Sequence, residues 1–98
     1  IINDLKPVLR NIVWLNLSDN DLSESDLSIL EDMSNLEKLR LEKNPISDGI
    51  SSYLQGLKHL EAVNLNETKI TKACLNRLQQ NPVIKRIYTW RTSCDNLN

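Results

Sequence analysis

Residues 36–46 read Leu36-Glu37-Lys38-Leu39-Arg40-Leu41-Glu42-Lys43-Asn44-Pro45-Ile46, and this stretch decides the fold. Its apolar residues occupy the first, fourth, sixth and eleventh places, with asparagine at the ninth. The Leu39-Arg40-Leu41 core alternates apolar and polar, as a short strand with one buried face does. The chain must leave that strand near Asn44. Its carboxamide carries both donors and an acceptor, so it can satisfy backbone groups inside a turn. The pattern recurs with a constant 24-residue period. Upstream it reads Ile12, Leu15, Leu17, Asn20 and Leu22, and downstream Leu60, Val63, Leu65, Thr68 and Ile70. A fourth, weaker copy places Ile84, Ile87, Thr89, Thr92 and Cys94. Thr68 and Thr92 stand where the first two copies have asparagine. A hydroxyl makes fewer bonds, so looser turns are expected there.

The segments between the strands carry apolar residues at helical spacing. Ser23 or Ser25 is placed to cap a helix with Leu27, Leu30 and Met33 on one face. Ser47 or Asp48 would cap one carrying Ile50, Leu54 and Leu57, and Thr71 one carrying Cys74, Leu75 and Leu78. Residues 4–10 fit the same scheme, with Asp4 as cap, Leu5 and Leu9 buried and Pro7 tolerated in the first turn. Residues 95–98 are expected to fray. No such unit can bury its apolar face alone, so the units must stack.

Over residues 12–94 the pattern LxxLxLxxNxL resembles the leucine-rich repeat. The resemblance implies an α/β, right-handed leucine-rich-repeat solenoid, curved, with a parallel sheet on the concave face and helices on the convex face. It would consist of about four 24-residue repeats. Residues 1–98 then form a single domain: 1–11 a partial N-terminal repeat, 12–35, 36–59 and 60–83 full repeats, and 84–98 a terminal one. Three segments are similar to bacterial repeats with Thr in the Asn position: Asn44-Pro45-Ile46-Ser47-Asp48-Gly49-Ile50, Thr68-Lys69-Ile70-Thr71-Lys72-Ala73-Cys74-Leu75 and Ile87-Tyr88-Thr89-Trp90-Arg91-Thr92. Such repeats occur in envelope proteins, some with a c-type cytochrome domain. That similarity implies an interaction module of a larger protein, in the cell envelope or periplasm. CxxCH is absent, so covalent haem is not expected.

Composition narrows the function classes. The chain has 98 residues, 40% hydrophobic and 26% charged, which suits a folded domain. Seventeen Leu and nine Ile with no Phe require an aliphatic core. No run approaches the roughly 18 apolar residues of a membrane helix, so no membrane insertion is expected. The net charge of −1 argues against nucleic acid as a partner. The charge is uneven: residues 1–49 carry net −5 and residues 50–98 net +4. Cys74 and Cys94 replace apolar repeat positions held earlier by Ile50 and Ile70, so two buried, reduced thiols are expected rather than a bridge. The single histidine, His59, falls in a turn and reads as solvated. The acidic run Glu24, Asp26, Glu31 and Asp32 lacks a calcium-loop pattern and reads as a solvated face. Two glycosylation sequons, at Asn16 and Asn66, lie on or beside the expected sheet, where glycans are not expected. No nucleophile, acid–base pair, metal cluster or cofactor motif is assembled, so neither an enzyme nor a cofactor is expected.

The repeat phase assigns the outward residues of each strand. They are Trp14, Asn16 and Ser18, then Lys38, Arg40 and Glu42, then Ala62, Asn64 and Asn66, then Arg86, Tyr88 and Trp90. Three of the four aromatics of the chain fall on this one face. Trp, Tyr and Arg dominate binding hot spots. The candidate partner-binding residues are Trp14, Asn16, Lys38, Arg40, Asn64, Arg86, Tyr88 and Trp90. The function expected is recognition of a protein or peptide. Two alternatives stand beside it: a structural spacer, in which the aromatics shield the terminal strands, and a carbohydrate-binding surface, in which they stack on sugar rings.

Overall fold

The alternating leucines form four short parallel strands: β1 (Trp14–Asn16), β2 (Lys38–Arg40), β3 (Ala62–Asn64) and β4 (Arg86–Tyr88). A computed structural model describes residues 6–94, so the expected cap Asp4, Leu5 and the tail 95–98 lie outside the described residues. The strands pair in sequence order, and each partner lies one sequence period on: Leu15 beside Leu39, Leu39 beside Val63, Val63 beside Ile87. The ladder runs on past the strands. Leu17, Leu41 and Leu65 donate to the carbonyls of Arg40, Asn64 and Tyr88 at 2.8–2.9 Å. Asp19, Lys43 and Glu67 donate to those of Glu42, Asn66 and Trp90 at 2.7–3.0 Å. The turns therefore stack in the same register as the sheet.

Each turn uses a left-handed residue that is not glycine. Asp19, Lys43, Glu67 and Arg91 have φ of 56°, 61°, 55° and 57°, again one period apart. Such a conformation is costly for a residue with a Cβ. The turn compensates through the residue that follows. The Asn44 carboxamide is 2% exposed and bonds in five directions. Its oxygen accepts from the Asn20 and Leu22 amides at 2.9 and 3.0 Å. Its nitrogen donates to the carbonyls of Leu17, Leu41 and Glu42 at 2.9–3.3 Å. Thr68 donates one bond, to the Leu65 carbonyl at 2.7 Å, and its hydroxyl stays within its own turn. Asn20 is exposed, and its carboxamide donates to the Ser18 carbonyl.

The core is aliphatic, and its middle is the driest part. Leu36, Leu41, Ile46, Leu60, Val63, Leu65 and Ile70 have no exposed surface. The corresponding Ile12, Leu15, Leu17 and Leu22 at one end, and Ile87 and Cys94 at the other, are only partly buried. Leu27, Leu30, Met33, Ile50, Leu54, Cys74 and Leu78 close the core from the far side.

The connecting segments differ from the expected helices in kind. The segment after β1 holds two 3-10 turns, Glu24–Asp26 and Ser28–Asp32, rather than an α-helix. Its Ser23-Glu24-Ser25-Asp26 run favours local side-chain bonds over helix. The Asp26 carboxylate accepts from the Ser23 amide at 3.0 Å, closing a capping box at the start of the first of these turns. After β2 a 3-10 turn, Asp48–Ile50, leads into one α-helical turn, Ser51–Leu54. After β3 a full helix forms, Lys72–Gln79, capped by Thr71, whose hydroxyl accepts from the Ala73 amide at 3.3 Å. Ala73, Leu75, Arg77, Leu78 and Gln79 are good helix formers, and the other segments have fewer. Before β1, Lys6–Leu9 is helical, and Leu9 is buried as expected.

Carboxylates tie these segments together. Glu24 accepts from the Ser47 amide at 3.2 Å and from its hydroxyl. Asp48 accepts from the amide and hydroxyl of Thr71 in the same way. Glu24 is thus a cap for the next segment and not the solvated charge expected from the sequence.

Stability should depend on these bonds in two measurable ways. Asn44→Ala should cost ~1–3 kcal/mol in urea melts, because it leaves buried backbone groups unpaired. Thr68→Ala should cost less, and a reversed order would refute the turn mechanism. The second dependence is on pH. The Ser47 hydroxyl holds the Glu24 carboxyl below its ordinary 4.5, against the opposing pull of burial. A carboxyl lowered in the folded state stabilises above its unfolded value and loses that contribution as pH falls through the folded value. Glu24→Gln should therefore flatten the loss of stability below pH 4.5 and leave the pH dependence above it unchanged. Melts across the acid range that show the same slope for both proteins would contradict the capping role.

Candidate functional site

The outer face of the sheet is a grid set by the strand register. One row holds Trp14, Lys38, Ala62 and Arg86, and the next Asn16, Arg40, Asn64 and Tyr88. These residues line a shallow depression of about 440 Å³, with Leu15 and Leu39 at its base. Seven of the eight candidate residues thus meet in one place, and Trp90, just past β4, does not line it.

The aromatics are open to solvent. Trp14 is 69% exposed, Tyr88 47% and Trp90 56%. Side chains that shielded the core at the sheet ends would be largely buried against it, and these are not. Each Trp instead carries a cation on its ring. The Lys38 ammonium lies 4.7 Å from the Trp14 ring centre, and the Arg91 guanidinium 4.5 Å from that of Trp90.

The polar members of the grid divide by role. Asn16 accepts from the Ser18 amide at 3.0 Å, and Asn64 from the Asn66 amide at 2.9 Å. Their carboxamide oxygens are thus engaged in closing their own strand ends. Asn66 accepts from the Trp90 amide at 2.7 Å. Glu42 corrects the expected face. Alternation points it outward, but it is 7% exposed, folded beneath Arg40. Arg40 donates to Glu42 Oε2 from Nε at 2.9 Å and again from Nη2. Glu42 Oε1 is buried without a hydrogen-bond partner among the described residues. Burial acts to raise the Glu42 carboxyl, but the Arg40 bond, its own backbone amide and the Arg40 and Lys43 charges outweigh it and hold it below its ordinary value. Arg40 therefore lies pinned, with its charge largely matched.

Ala62 is the residue the sequence signal passed over. It is the smallest side chain in its row, between Lys38 and Arg86, and so forms the low point of the grid. The signal was present in the alignment of the repeats, where every other strand carries a large residue at that place.

Among the described residues no group of three or more His, Cys, Asp or Glu could hold a metal ion. No helix among them is long and apolar enough to cross a membrane. His59 is exposed. A second depression on the turn side is lined by Lys43, Asn44, Pro45, Glu67, Thr68, Lys69 and Arg91.

With this geometry in place, comparison with known proteins identifies the architecture. The Leucine Rich Repeat family model matches residues 11–33 and 35–57, so the chain carries leucine-rich repeats there. Two solved structures are similar to it. One is the tropomodulin C-terminal domain from Caenorhabditis elegans, at 18% identity and TM-score 0.73 over 93% of this chain. The other is leiomodin-1 actin-binding site 2, at 17% identity and TM-score 0.68 over 96% of this chain. The chain spans 65% of the length of each. At such identity the likeness is one of fold. Comparison with curated proteins finds no match.

The two thiols differ in setting. Both are free, as expected, but Cys94 is only half-buried, because its repeat position lies at the less covered end of the core. Cys74 has no exposed surface, and burial, with the charges of Asp48 and Cys94, pushes its thiol up to about 12. Iodoacetamide at mildly alkaline pH should modify Cys94 in the folded protein and spare Cys74, and should modify both in denaturant. Mass spectrometry showing equal native labelling would contradict this burial.

Proposed function

We propose that the chain is a recognition module for a protein or peptide, belonging to a larger protein, that binds through the open face of its sheet. In this reading the units form a right-handed solenoid of four repeats whose sheet lines the concave side, with the single domain spanning residues 1–98. The observation that carries it is the set of exposed Trp14 and Tyr88 gathered with Lys38, Arg40 and Arg86 around one depression. Large aromatic surfaces left in water beside guanidinium groups are the makings of a hot spot. A protein partner is favoured further because one similar structure is itself an actin-binding site. An envelope or periplasmic setting rests on the Thr-variant repeats alone.

The test is direct binding, followed by Trp fluorescence, of purified actin, a peptide library and an oligosaccharide panel. Tyr88→Ala should weaken binding of the ligand found by about 2 kcal/mol while leaving the urea midpoint nearly unchanged. Lower stability with unchanged affinity would favour the spacer reading, and binding of oligosaccharides alone would favour the carbohydrate reading.

A further inference from the structure

Ala62 lies in register between Lys38 on β2 and Arg86 on β4, so two cations flank a small apolar floor. The flanking backbones are two strand spacings apart, about 9–10 Å. That width admits one side chain and not a bulky group. The face holds three cations, Lys38, Arg40 and Arg86, and one carboxylate, Glu42, which is committed to Arg40. It is thus a cationic patch on a chain whose net charge is −1. Lys38 leans over Trp14, which leaves the Ala62 floor uncovered. An exposed cation–π contact is weak, and an incoming anion can draw the ammonium back. Arg86 has no carboxylate partner among the described residues. Glu37 and Glu61 precede β2 and β3 and do not line the depression.

We infer that Lys38, Ala62 and Arg86 form a subsite for an acidic side chain of a partner protein, with Trp14 and Tyr88 receiving the apolar residues on either side of it. The inference rests on the sheet face being the recognition surface, and it adds the chemistry of the partner. A carboxylate set over Ala62 meets the ammonium of Lys38 and the planar fork of Arg86, and charge-assisted bonds of this kind are the strong ones. Arg40 contributes less, because Glu42 already holds its guanidinium. A nucleic-acid backbone fits poorly, since its affinity comes from many cations in a track and here only two have no carboxylate on them among the described residues. The partner is therefore an acidic segment interleaved with apolar residues.

The experiment is selection from a phage-displayed library of random linear peptides on the immobilised chain, counter-selected on Ala62→Trp, which fills the floor. The expected peptides are rich in Asp and Glu next to apolar residues. Their binding should fall about tenfold or more in Lys38→Glu and in Arg86→Glu, and weaken as salt is raised. Lys58→Glu, which reverses a charge away from the face, should leave it unchanged. Circular dichroism melts confirm that each variant is folded. Peptides that need an open Ala62 but carry no acidic residue would overturn this inference and leave the recognition surface standing. Peptides indifferent to Ala62→Trp, Lys38→Glu and Arg86→Glu would overturn both. Equal weakening by Lys58→Glu would reduce the effect to net charge and overturn the subsite, as would tighter binding of single-stranded DNA through the same residues. Dimerisation of the chain that is lost in Arg86→Glu would overturn it too, by assigning the face to a second copy.

Discussion

The Asn44 carboxamide is the interaction on which the rest of the structure depends. A strand as short as β2 makes few backbone bonds and cannot set its own register. Asn44 adds bonds to its own turn and to the turn before it, from a site sealed from water. A buried amide with all its groups paired is stable only in one arrangement. That arrangement fixes Leu39 and Leu41 against the core and turns Lys38 and Arg40 outward. The outer face is therefore a product of the inner turn.

Most of the fold is legible in the sequence because it depends on period. The regular spacing of Leu15, Leu39, Val63 and Ile87 is the strand register itself, and no long-range information is needed to read it. The asparagine turn is legible for the same reason. What period does not carry is the form of the connecting segments. Leu27, Leu30 and Met33 are buried as helical spacing suggests, yet they are reached by 3-10 turns. Burial needs only that these side chains face inward, and two backbone conformations achieve it. The period does not choose between them. Asn81 shows the same limit. It occupies the place of Leu57 and Met33, and it bonds the Gln55 and Leu57 carbonyls at 3.1 Å from within the core.

The candidate site is legible in its membership more than in its energetics. Strand alternation alone brings Trp14, Lys38, Arg40 and Tyr88 to one face, and the structure gathers them there. Alternation cannot see pairwise contacts, so Glu42 stood among the outward residues although Arg40 draws it under cover. It cannot see local bonds either, and the oxygens of Asn16 and Asn64 are engaged beside their own strands. Nor does it weigh a small residue as a feature. Ala62 matters through the room it leaves, which shows only once its neighbours are placed in space.

The left-handed turn residues have a further consequence, for how the strands find their partners. Because none of the four that recur with the repeat is glycine, each turn displays a side chain, and the stacked turns set these in a row. Along the row the charges alternate: Asp19, Lys43, Glu67, Arg91. Correct stacking places opposite charges side by side. A mispairing that skipped one unit would set Asp19 against Glu67, or Lys43 against Arg91, and like charges facing each other across a ladder are unfavourable. The charges of the rim thus favour neighbour over next-neighbour stacking, in the same sense as the bonds of Asn44 between turns.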